Sequence, residues 1–360
     1  MAIQHLDVVQ GRHSRVVFSH GLAFFTGHVA PKTKTLREQS EALLKRYDEL
    51  FEQFGLKKKN ILYAMCYLKN ADDEKEYTDV YYEWIDKDNP PAGLAVTARG
   101  NPNNATGEIL IELHLIVATD PDAKIERYDV SNGSRMVKYN GLAFFTGHVY
   151  PRADTLGEQT KGVLNRYMEL FEKFDLKKEN VVAANGFVKN MDDIEQFKAP
   201  WNEFWGENPP AGVIVQCPPN QNTAFGPNLQ IELELIVAYG DTEVKRYDVV
   251  PGMSRLVTAG GLGFFTGHSA KLGAYKTMDE QTRALYERYE ELLAQFGIEK
   301  KNLVMSYAYL ADMDLLPEFL AAPKIALDPD APPAGVAMEG KPMGEGNLLE
   351  VQFVASMDGE

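Results

Sequence analysis

The chain has few cysteines, no long basic cluster and no long hydrophobic run. Its 360 residues include two cysteines, Cys66 and Cys217, which are too few for a disulfide framework and lack zinc-ligand spacing. No apolar run approaches the roughly 20 residues of a membrane span, and residues 1–5 lack the regions of a signal peptide. We therefore expect a cytoplasmic protein with buried free thiols and no membrane partner.

Positive charge is also in deficit. The chain carries 37 basic and 52 acidic side chains, a formal net charge of -15. Non-specific affinity for nucleic acid comes mainly from lysine and arginine that neutralise phosphates. The longest basic run, residues 57–59, is short enough to be a solvated turn. This balance disfavours RNA or DNA as a partner and favours a small molecule.

What the chain does contain is an internal repeat. The string Phe-Phe-Thr-Gly-His begins at Phe24, Phe144 and Phe264, so the period is about 120 residues. A Pro-Pro-Ala-Gly turn and a late Ile/Leu-Glu-Leu/Val strand recur in the same order. We predict three tandem domains over 1–121, 122–241 and 242–360. The seams are too short for flexible linkers, so the copies should pack directly on one another.

Each copy shows the pattern of an α+β domain with the order ββαβαββ. Two apolar stretches around Ser19-His20-Gly21 predict a hairpin, and Leu43, Tyr47, Leu50 and Phe54 form one stripe of a helix that begins near Thr35. Helices on one sheet face leave the other face uncovered. Three such faces would cover one another, which predicts a monomeric single-chain pseudo-trimer with helices outside a central sheet barrel.

The copies resemble the RidA/YjgF family of small trimeric proteins, which also bears an endoribonuclease L-PSP label. The matching motifs are a strand ending in Thr26-Gly27, a helix opening with Glu38-Gln39, and Lys69-Asn70 after a strand. The turn Pro91-Ala92 and the strand pair Ile111-Glu112 complete the set. The resemblance implies sites in clefts between neighbouring copies. It also implies cofactor-free hydrolysis of enamines and imines, such as 2-aminoacrylate, to keto acids and ammonia.

The family's site residues carry over only in part. The arginine that binds the substrate carboxylate is replaced by glycine in every copy, and glycine cannot supply a guanidinium fork. The family cysteine and the family tyrosine are also replaced, whereas the acid on the last strand is kept. In copy order, these positions are Gly93, Gly212 and Gly335 for the arginine; Ala95, Ile214 and Ala337 for the cysteine; His13, Gly133 and Met253 for the tyrosine; and Glu112, Glu232 and Glu350 for the acid.

The repeated Thr-Gly-His triplet is the sharpest candidate for ligand binding. Its glycine would allow close backbone approach, its amides would bind a developing oxyanion, and its imidazole would donate a hydrogen bond or shuttle a proton. The alternative is a structural strand end, and a metal site shared by three histidines is disfavoured, so we expect no metal and no cofactor. The triplets are Thr26-Gly27-His28, Thr146-Gly147-His148 and Thr266-Gly267-His268.

The last-strand glutamates Glu112, Glu232 and Glu350, with His13, are the catalytic candidates. The glutamates would act as acid/base groups or position water; alternatively they are structural acids paired with Arg15 and its equivalents Arg135 and Arg255. These arginines would otherwise replace the lost anion clamp. If one cleft is active, the cleft containing His13 is our first choice.

Three functions remain open from the sequence. The first is a cofactor-free hydrolase or deaminase for a small carbonyl, imine or enamine metabolite. The second is a non-catalytic small-molecule binding module, favoured by the loss of the clamp arginine from all copies. The third is an endoribonuclease, which the family label suggests and the acidic charge opposes.

Overall fold

A computed structural model describes residues 3–100, 107–219 and 228–357, and within them the three copies repeat one element order. The first copy comprises β1 (Gln4–Val9), β2 (His13–Ser19), β3 (Leu22–Phe25), α1 (Leu36–Phe54), β4 (Ile61–Leu68), α2 (Glu74–Trp84), β5 (Ala92–Thr97) and β6 (Ile111–Ala118). The second comprises β7 (Glu126–Tyr128), β8 (Met136–Tyr139), β9 (Leu142–Phe145), α3 (Leu156–Lys173), β10 (Val181–Val188), α4 (Glu195–Trp205), β11 (Ile214–Gln216) and β12 (Ile231–Ala238).

The third copy adds two short strands to the same order. It comprises β13 (Lys245–Val250), β14 (Met253–Ala259), β15 (Leu262–Phe265), β16 (His268–Ser269), α5 (Met278–Phe296), β17 (Leu303–Leu310), α6 (Leu316–Ala321), β18 (Ala334–Glu339), β19 (Lys341–Pro342) and β20 (Leu349–Ser356). The α+β class is therefore confirmed.

Each copy contains a first strand that the sequence analysis did not predict, in addition to the two short strands of the third copy. The strands β1, β7 and β13 precede the predicted hairpin, and β1 pairs antiparallel with β2 from Gln4 opposite Phe18 to Val9 opposite His13. Every residue of β1 is partly or fully exposed. An edge strand of this kind lacks the apolar alternation by which strands are recognised in a sequence, so it was missed.

The first long helix of each copy begins and ends where local chemistry requires. Thr35 caps α1 and its side chain accepts from the Glu38 amide, while the Glu38 carboxylate accepts from the Thr35 amide, which completes a capping box. Gly55 then adopts a left-handed conformation with φ 68°. The second copy has Asp175 instead, at φ 52°.

The sheets are mixed and share one strand order. In the first copy the order is β1-β2-β3-β6-β4-β5, with β4 and β5 parallel and the other pairs antiparallel. The second sheet also gains β19 from the third copy, through Val215 opposite Pro342. The copies therefore share a sheet as well as side-chain contacts.

Both faces of each sheet are covered. The long helices pack on one face, where they form a separate apolar core for each copy. The opposite faces of all three sheets contribute to one common core that includes Phe24, Phe144 and Phe264. The backbone also links the copies in a cycle, because Gly27, Gly147 and Gly267 each donate an amide to a glycine carbonyl of the preceding copy, the third copy preceding the first. A single-chain pseudo-trimer requires contacts of this kind.

Within the described residues, no helix is both long enough and apolar enough to cross a membrane. The two cysteines are free and buried, as predicted.

Candidate functional site

Three equivalent clefts lie where the Pro-Pro-Ala-Gly turn of one copy meets the Thr-Gly-His triplet of the next. We name each cleft by the two copies that form it and identify it by its turn glycine and triplet threonine. Cleft 1/2 contains Gly93 and Thr146, cleft 2/3 contains Gly212 and Thr266, and cleft 3/1 contains Gly335 and Thr26. The threonine side chain makes a hydrogen bond to its partner glycine in every cleft.

The backbone amides of the triplets already have partners. In cleft 1/2 the Thr146 amide donates to the Arg135 carbonyl at 2.9 Å, and the Gly147 amide donates to the Gly93 carbonyl at 3.2 Å. The His148 amide donates to a carbonyl of the adjacent strand β12 at 2.9 Å. The other two triplets repeat these bonds. The predicted oxyanion role for these amides is therefore disfavoured, because each N–H already donates to a carbonyl; the bond of the glycine amide also joins two copies.

The glycine of the triplet makes room for the last-strand glutamate. A Cβ atom on Gly147 would lie 2.1 Å from Glu232 Oε1, and one on Gly27 would lie 2.0 Å from Glu112 Oε1. The third copy places Glu350 in the same position. No side chain fits between backbone and carboxyl at these distances, so the structure explains why glycine stands at this position and unites two predicted features in one cleft.

These glutamates are buried, and burial raises the pKa of each from 4.5 to about 8. For Glu232, the charge of Glu74 is a second and smaller cause of the raised pKa. A carboxyl group with such a pKa is protonated at neutral pH. It can then donate a proton or a hydrogen bond, which an ordinary exposed glutamate cannot do.

The predicted pairing of these glutamates with Arg15, Arg135 and Arg255 is wrong. Within the described residues, Arg15 pairs with Asp7 at 2.8 Å, and Arg135 pairs with Asp129 at 2.9 Å. Arg255 pairs with its own aspartate in the third copy, Asp248, at 3.7 Å. Asp7 belongs to β1, and the equivalent residues Asp129 and Asp248 also precede the hairpin of their copies. The sequence analysis predicted no strand in this region.

The triplet histidines are buried and neutral. Burial is the main cause that lowers the pKa of His28, His148 and His268 to about 3, with neighbouring arginines as lesser causes. His148 Nδ1 lies 2.7 Å from the Thr146 carbonyl, which can only accept, so Nδ1 carries the proton. Nε2 then accepts from Arg135 Nη1 at 3.3 Å. The predicted role as a proton shuttle is disfavoured, whereas a hydrogen-bonding role fits this geometry.

No metal site accompanies the histidines. Across residues 3–100, 107–219 and 228–357, no three His, Cys, Asp or Glu side chains are grouped to hold a metal ion. His13 belongs to cleft 3/1, where its charge affects the pKa of His28. Burial first, then Arg15 and Arg12, lowers the pKa of His13 itself.

Two arginines that the sequence analysis missed point to anion binding. Arg166 of α3 lines cleft 1/2 and Arg288 of α5 lines cleft 2/3. Each is half-buried, and within the described part of the chain neither forms a salt bridge nor a side-chain hydrogen bond. Burial is the main cause that lowers the pKa of both, followed by Arg135 for Arg166 and by Arg255 for Arg288.

A sequence signal for these arginines exists. An Arg-Tyr pair recurs on the first long helix of every copy, and its tyrosine belongs to the buried stripe of that helix. The residue before a buried tyrosine points sideways, toward the neighbouring copy. In the first copy the equivalent arginine, Arg46, bonds to Glu49 at 3.2 Å and differs in this from the other two.

The turn glycines do not leave equal space for the family arginine. A Cβ atom on Gly93 would lie 2.1 Å from the Ala64 carbonyl oxygen, and one on Gly212 would lie 1.9 Å from that of Ala184. The nearest atom to a Cβ on Gly335 is the Ser306 carbonyl oxygen at 3.8 Å. Any side chain is therefore excluded from this position in two clefts and accommodated in the third.

The walls of the clefts differ as well. Cleft 1/2 has a volume of about 650 Å³ and is lined by Glu74, Tyr77 and Tyr81 of α2. Cleft 2/3 has a volume of about 480 Å³ and is lined by Phe197 and Trp201 of α4. The second helices thus rim these two clefts. Of the other tryptophans, Trp84 packs on Tyr47 and Phe51, and Trp205 is fully buried.

A further buried polar cluster lies where the three sheets meet. We call it the shared cavity; its volume is about 30 Å³, and His114, Glu234 and Gln352 occupy equivalent positions on the last strand of each copy. Tyr63 donates its hydroxyl to Glu234, and Asn185 Nδ2 donates to Glu234 Oε1 at 2.7 Å. Burial raises the pKa of Glu234 to about 8 and lowers that of His114 to about 3.

Comparison with known proteins agrees with this architecture. The model of the family described as Endoribonuclease L-PSP matches three tandem segments, residues 5–117, 127–239 and 245–357. The chain belongs to this family, also called RidA/YjgF.

Relatives within the family match one copy at a time. A RutC family protein of Haemophilus ducreyi is 33% identical over 103 residues, which cover 28% of this chain and 87% of the relative. A RutC family protein of Haemophilus influenzae is 32% identical over 101 residues, which cover 28% of this chain and 86% of the relative. A crystal structure of a chorismatase superposes on 83% of this chain and 93% of its own, with a TM-score of 0.53 and 9% identity. The last likeness concerns the fold alone.

Proposed function

We propose that this chain is a cofactor-free enzyme that hydrolyses or deaminates a small imine, enamine or carbonyl metabolite bearing a carboxylate. One observation carries the proposal: cleft 1/2 combines Arg166, a guanidinium without a salt bridge or side-chain hydrogen bond among the described residues, with a buried carboxyl group, Glu232, that is protonated at neutral pH. The first binds an anion and the second supplies a proton. Our first choice of active cleft is therefore cleft 1/2, in place of cleft 3/1 with His13.

The charges of the cleft suit a carboxylate ligand. Arg135 is partly neutralised by Asp129 and also bonds to His148, whereas Arg166 is free to form a bidentate contact. The two guanidinium groups are close enough to lower the pKa of Arg166. An anion between them would relieve that repulsion. Arg166 would therefore replace, from the neighbouring copy, the arginine that glycine displaced at position 93.

The reaction balances with Glu232 as the proton carrier. For 2-aminoacrylate, Glu232 donates its proton to the terminal carbon and the enamine becomes an iminium ion. Water then adds to the iminium carbon and returns one proton to Glu232, which gives a carbinolamine. The hydroxyl proton of the carbinolamine moves to the nitrogen as the C–N bond breaks, and ammonia and pyruvate are released. Each turnover consumes one water and needs no cofactor. A carboxyl group with a pKa near the working pH suits both steps.

The test is pyruvate release from 2-aminoacrylate generated in the assay, measured above the spontaneous rate. Wild type should accelerate release, and Glu232→Gln should lose at least about tenfold in kcat/KM, as general acid–base groups contribute on the order of 10²–10⁴-fold. Arg166→Gln should raise KM more than it lowers kcat. Glu203→Gln, on the exposed face of α4, is the matched control. Release at the spontaneous rate with folded wild type would exclude this substrate.

A non-catalytic binding module is the second candidate, and a specific observation favours it. The triplet amides are engaged in structural hydrogen bonds, so these backbone donors are not available to an oxyanion. Carboxylates that raise the melting temperature without any turnover would support this reading. An endoribonuclease is the third, and RNA degradation lost in Glu112, Glu232 and Glu350 variants would be its signature.

We also propose how the three copies assemble. The cyclic backbone contacts and the common core support a monomeric single-chain pseudo-trimer, with copies bounded at 1–121, 122–241 and 242–360. Light scattering that gives a mass near 40.3 kDa would agree with it. The cytoplasmic location stays a prediction.

A further inference from the structure

Cleft 2/3 keeps the frame of cleft 1/2 but has different walls. Its threonine, glycine, histidine and glutamate are all conserved in position. On the second helix, however, Phe197 and Trp201 stand where α2 carries Tyr77 and Tyr81. The substitution removes two hydroxyl groups and adds an indole. Trp201 is held in place because its Nε1 donates to the Gly252 carbonyl at 2.7 Å.

Other residues that line cleft 2/3 are apolar too. Met253 and Leu272 line the cleft, and they are among the large hydrophobic side chains that the surface exposes, at 43% and 57%. Met343 adds a third flexible apolar side chain. In cleft 1/2 the position of Met253 is Gly133, which has no side chain. The lining of cleft 2/3 thus combines aromatic rings with methionine and leucine, as in many sites for apolar ligands.

One cation is available within these walls. Arg288 lines the cleft without a salt bridge or side-chain hydrogen bond among the described residues. Of the two lysines at the cleft, Lys198 is paired with Glu195 at 2.5 Å and Lys271 is exposed. The buried carboxyl of Glu350 has a pKa raised to about 8 and so carries little negative charge at neutral pH. The cleft therefore offers a net positive potential beside an apolar surface.

We propose that cleft 2/3 binds a small organic anion that carries one bulky aromatic or branched aliphatic group. The anionic group lies at Arg288 and the apolar group lies between Trp201 and Met253. Cleft 1/2, with tyrosine hydroxyls and more charged side chains, takes a smaller and more polar ligand. The fused chain thus holds two binding sites of different specificity, and the second does not depend on turnover at the first.

Calorimetric titration of the full chain with unreactive probes tests this inference. The probe is 3-phenylpropionate; propionate lacks its ring, and 3-phenylpropanamide lacks its charge. We expect one 3-phenylpropionate per chain, with affinity at least about tenfold above that of either analogue. Arg288→Gln should weaken binding of 3-phenylpropionate by a similar factor. Arg283→Gln, an exposed arginine on the same helix, is the matched control and should bind as wild type.

Two further variants assign the binding to this cleft. Leu272→Asp adds a negative charge at an exposed rim position and should weaken 3-phenylpropionate without unfolding the chain. Arg166→Gln, in cleft 1/2, should not change 3-phenylpropionate binding. Absence of saturable binding, equal affinity for propionate, or loss of binding in Arg166→Gln alone would overturn the inference. Intact binding without any pyruvate release would reject only the proposed reaction.

Discussion

Replacing Glu234 by glutamine should make the stability of the protein less dependent on pH. Glu234 lies in the shared cavity, where Tyr63 and Asn185 donate hydrogen bonds to its carboxyl group. Burial raises its pKa from 4.5 to about 8 in the folded state. Its protonated form is therefore favoured by folding. Glutamine is also neutral and close in shape, so it should keep the cavity filled at any pH.

The direction and the size of the change in stability with pH follow from proton linkage. Below about pH 4.5 both states hold the proton, and the group costs nothing. Between about pH 4.5 and pH 8 the unfolded chain releases the proton and the folded chain keeps it, so stability falls as pH rises. With these two pKa values the loss of stability from about pH 5.5 to about pH 7.5 is roughly 2 to 3 kcal/mol. Glu234→Gln removes that loss.

Urea unfolding followed by circular dichroism, at about pH 5.5 and about pH 7.5, measures the effect. The variant should gain stability over wild type by roughly 2 to 3 kcal/mol more at the higher pH than at the lower. Glu203→Gln, on the surface of α4, should show no such change. An equal difference between Glu234→Gln and wild type at both pH values would refute the assignment of a protonated Glu234.

Three other predictions concern the clefts. Gly147→Ala should displace Glu232 and lower pyruvate release, because the added Cβ would lie 2.1 Å from the carboxyl oxygen of Glu232. The control is Gly133→Ala, where the nearest atom to the added Cβ is 3.5 Å away; this variant should keep the activity and the melting temperature of wild type. Gly335→Arg should have a melting temperature near that of wild type, whereas the melting temperature of Gly93→Arg should be lower by several degrees or more. Equal melting temperatures of the two variants would contradict the steric argument. If Glu232 acts as the acid with its pKa of about 8, kcat/KM should fall roughly tenfold between about pH 7 and about pH 9, and a profile that is flat over this range would exclude it.

The repeat made most of the fold predictable. A fixed period repeated three times cannot arise by chance, and the helix from Thr35 to Phe54 carried both its apolar stripe and its terminal signals. The position of Glu112 against Gly27 was not predictable, although both were named, because it depends on how β3 and β6 align in the sheet. Long-range register of this kind is not encoded in local patterns.

The parts that were missed share a physical cause. In β6 the sequence Ile-Glu-Leu-His-Leu alternates as though one face met water, yet every residue from Ile111 to Ala118 is buried. The alternation alone would leave His114 facing solvent, whereas the other copies cover that face and bury it. Arg166 was missed for a related reason, because its significance lies in the cleft that it shares with the preceding copy.

The shared cavity also bears on how such a chain can evolve. Once His114, Glu234 and Gln352 had diverged into an imidazole, a carboxyl and a carboxamide that meet in one buried space, the copies ceased to be interchangeable. Three molecules of the middle copy alone would bring three carboxyl groups together out of reach of water, at a high energetic cost. Divergence at this one position therefore couples the three copies, because each of these side chains shares the cavity with two different ones. We expect a single copy on its own to form a symmetric trimer less readily than the fused chain folds.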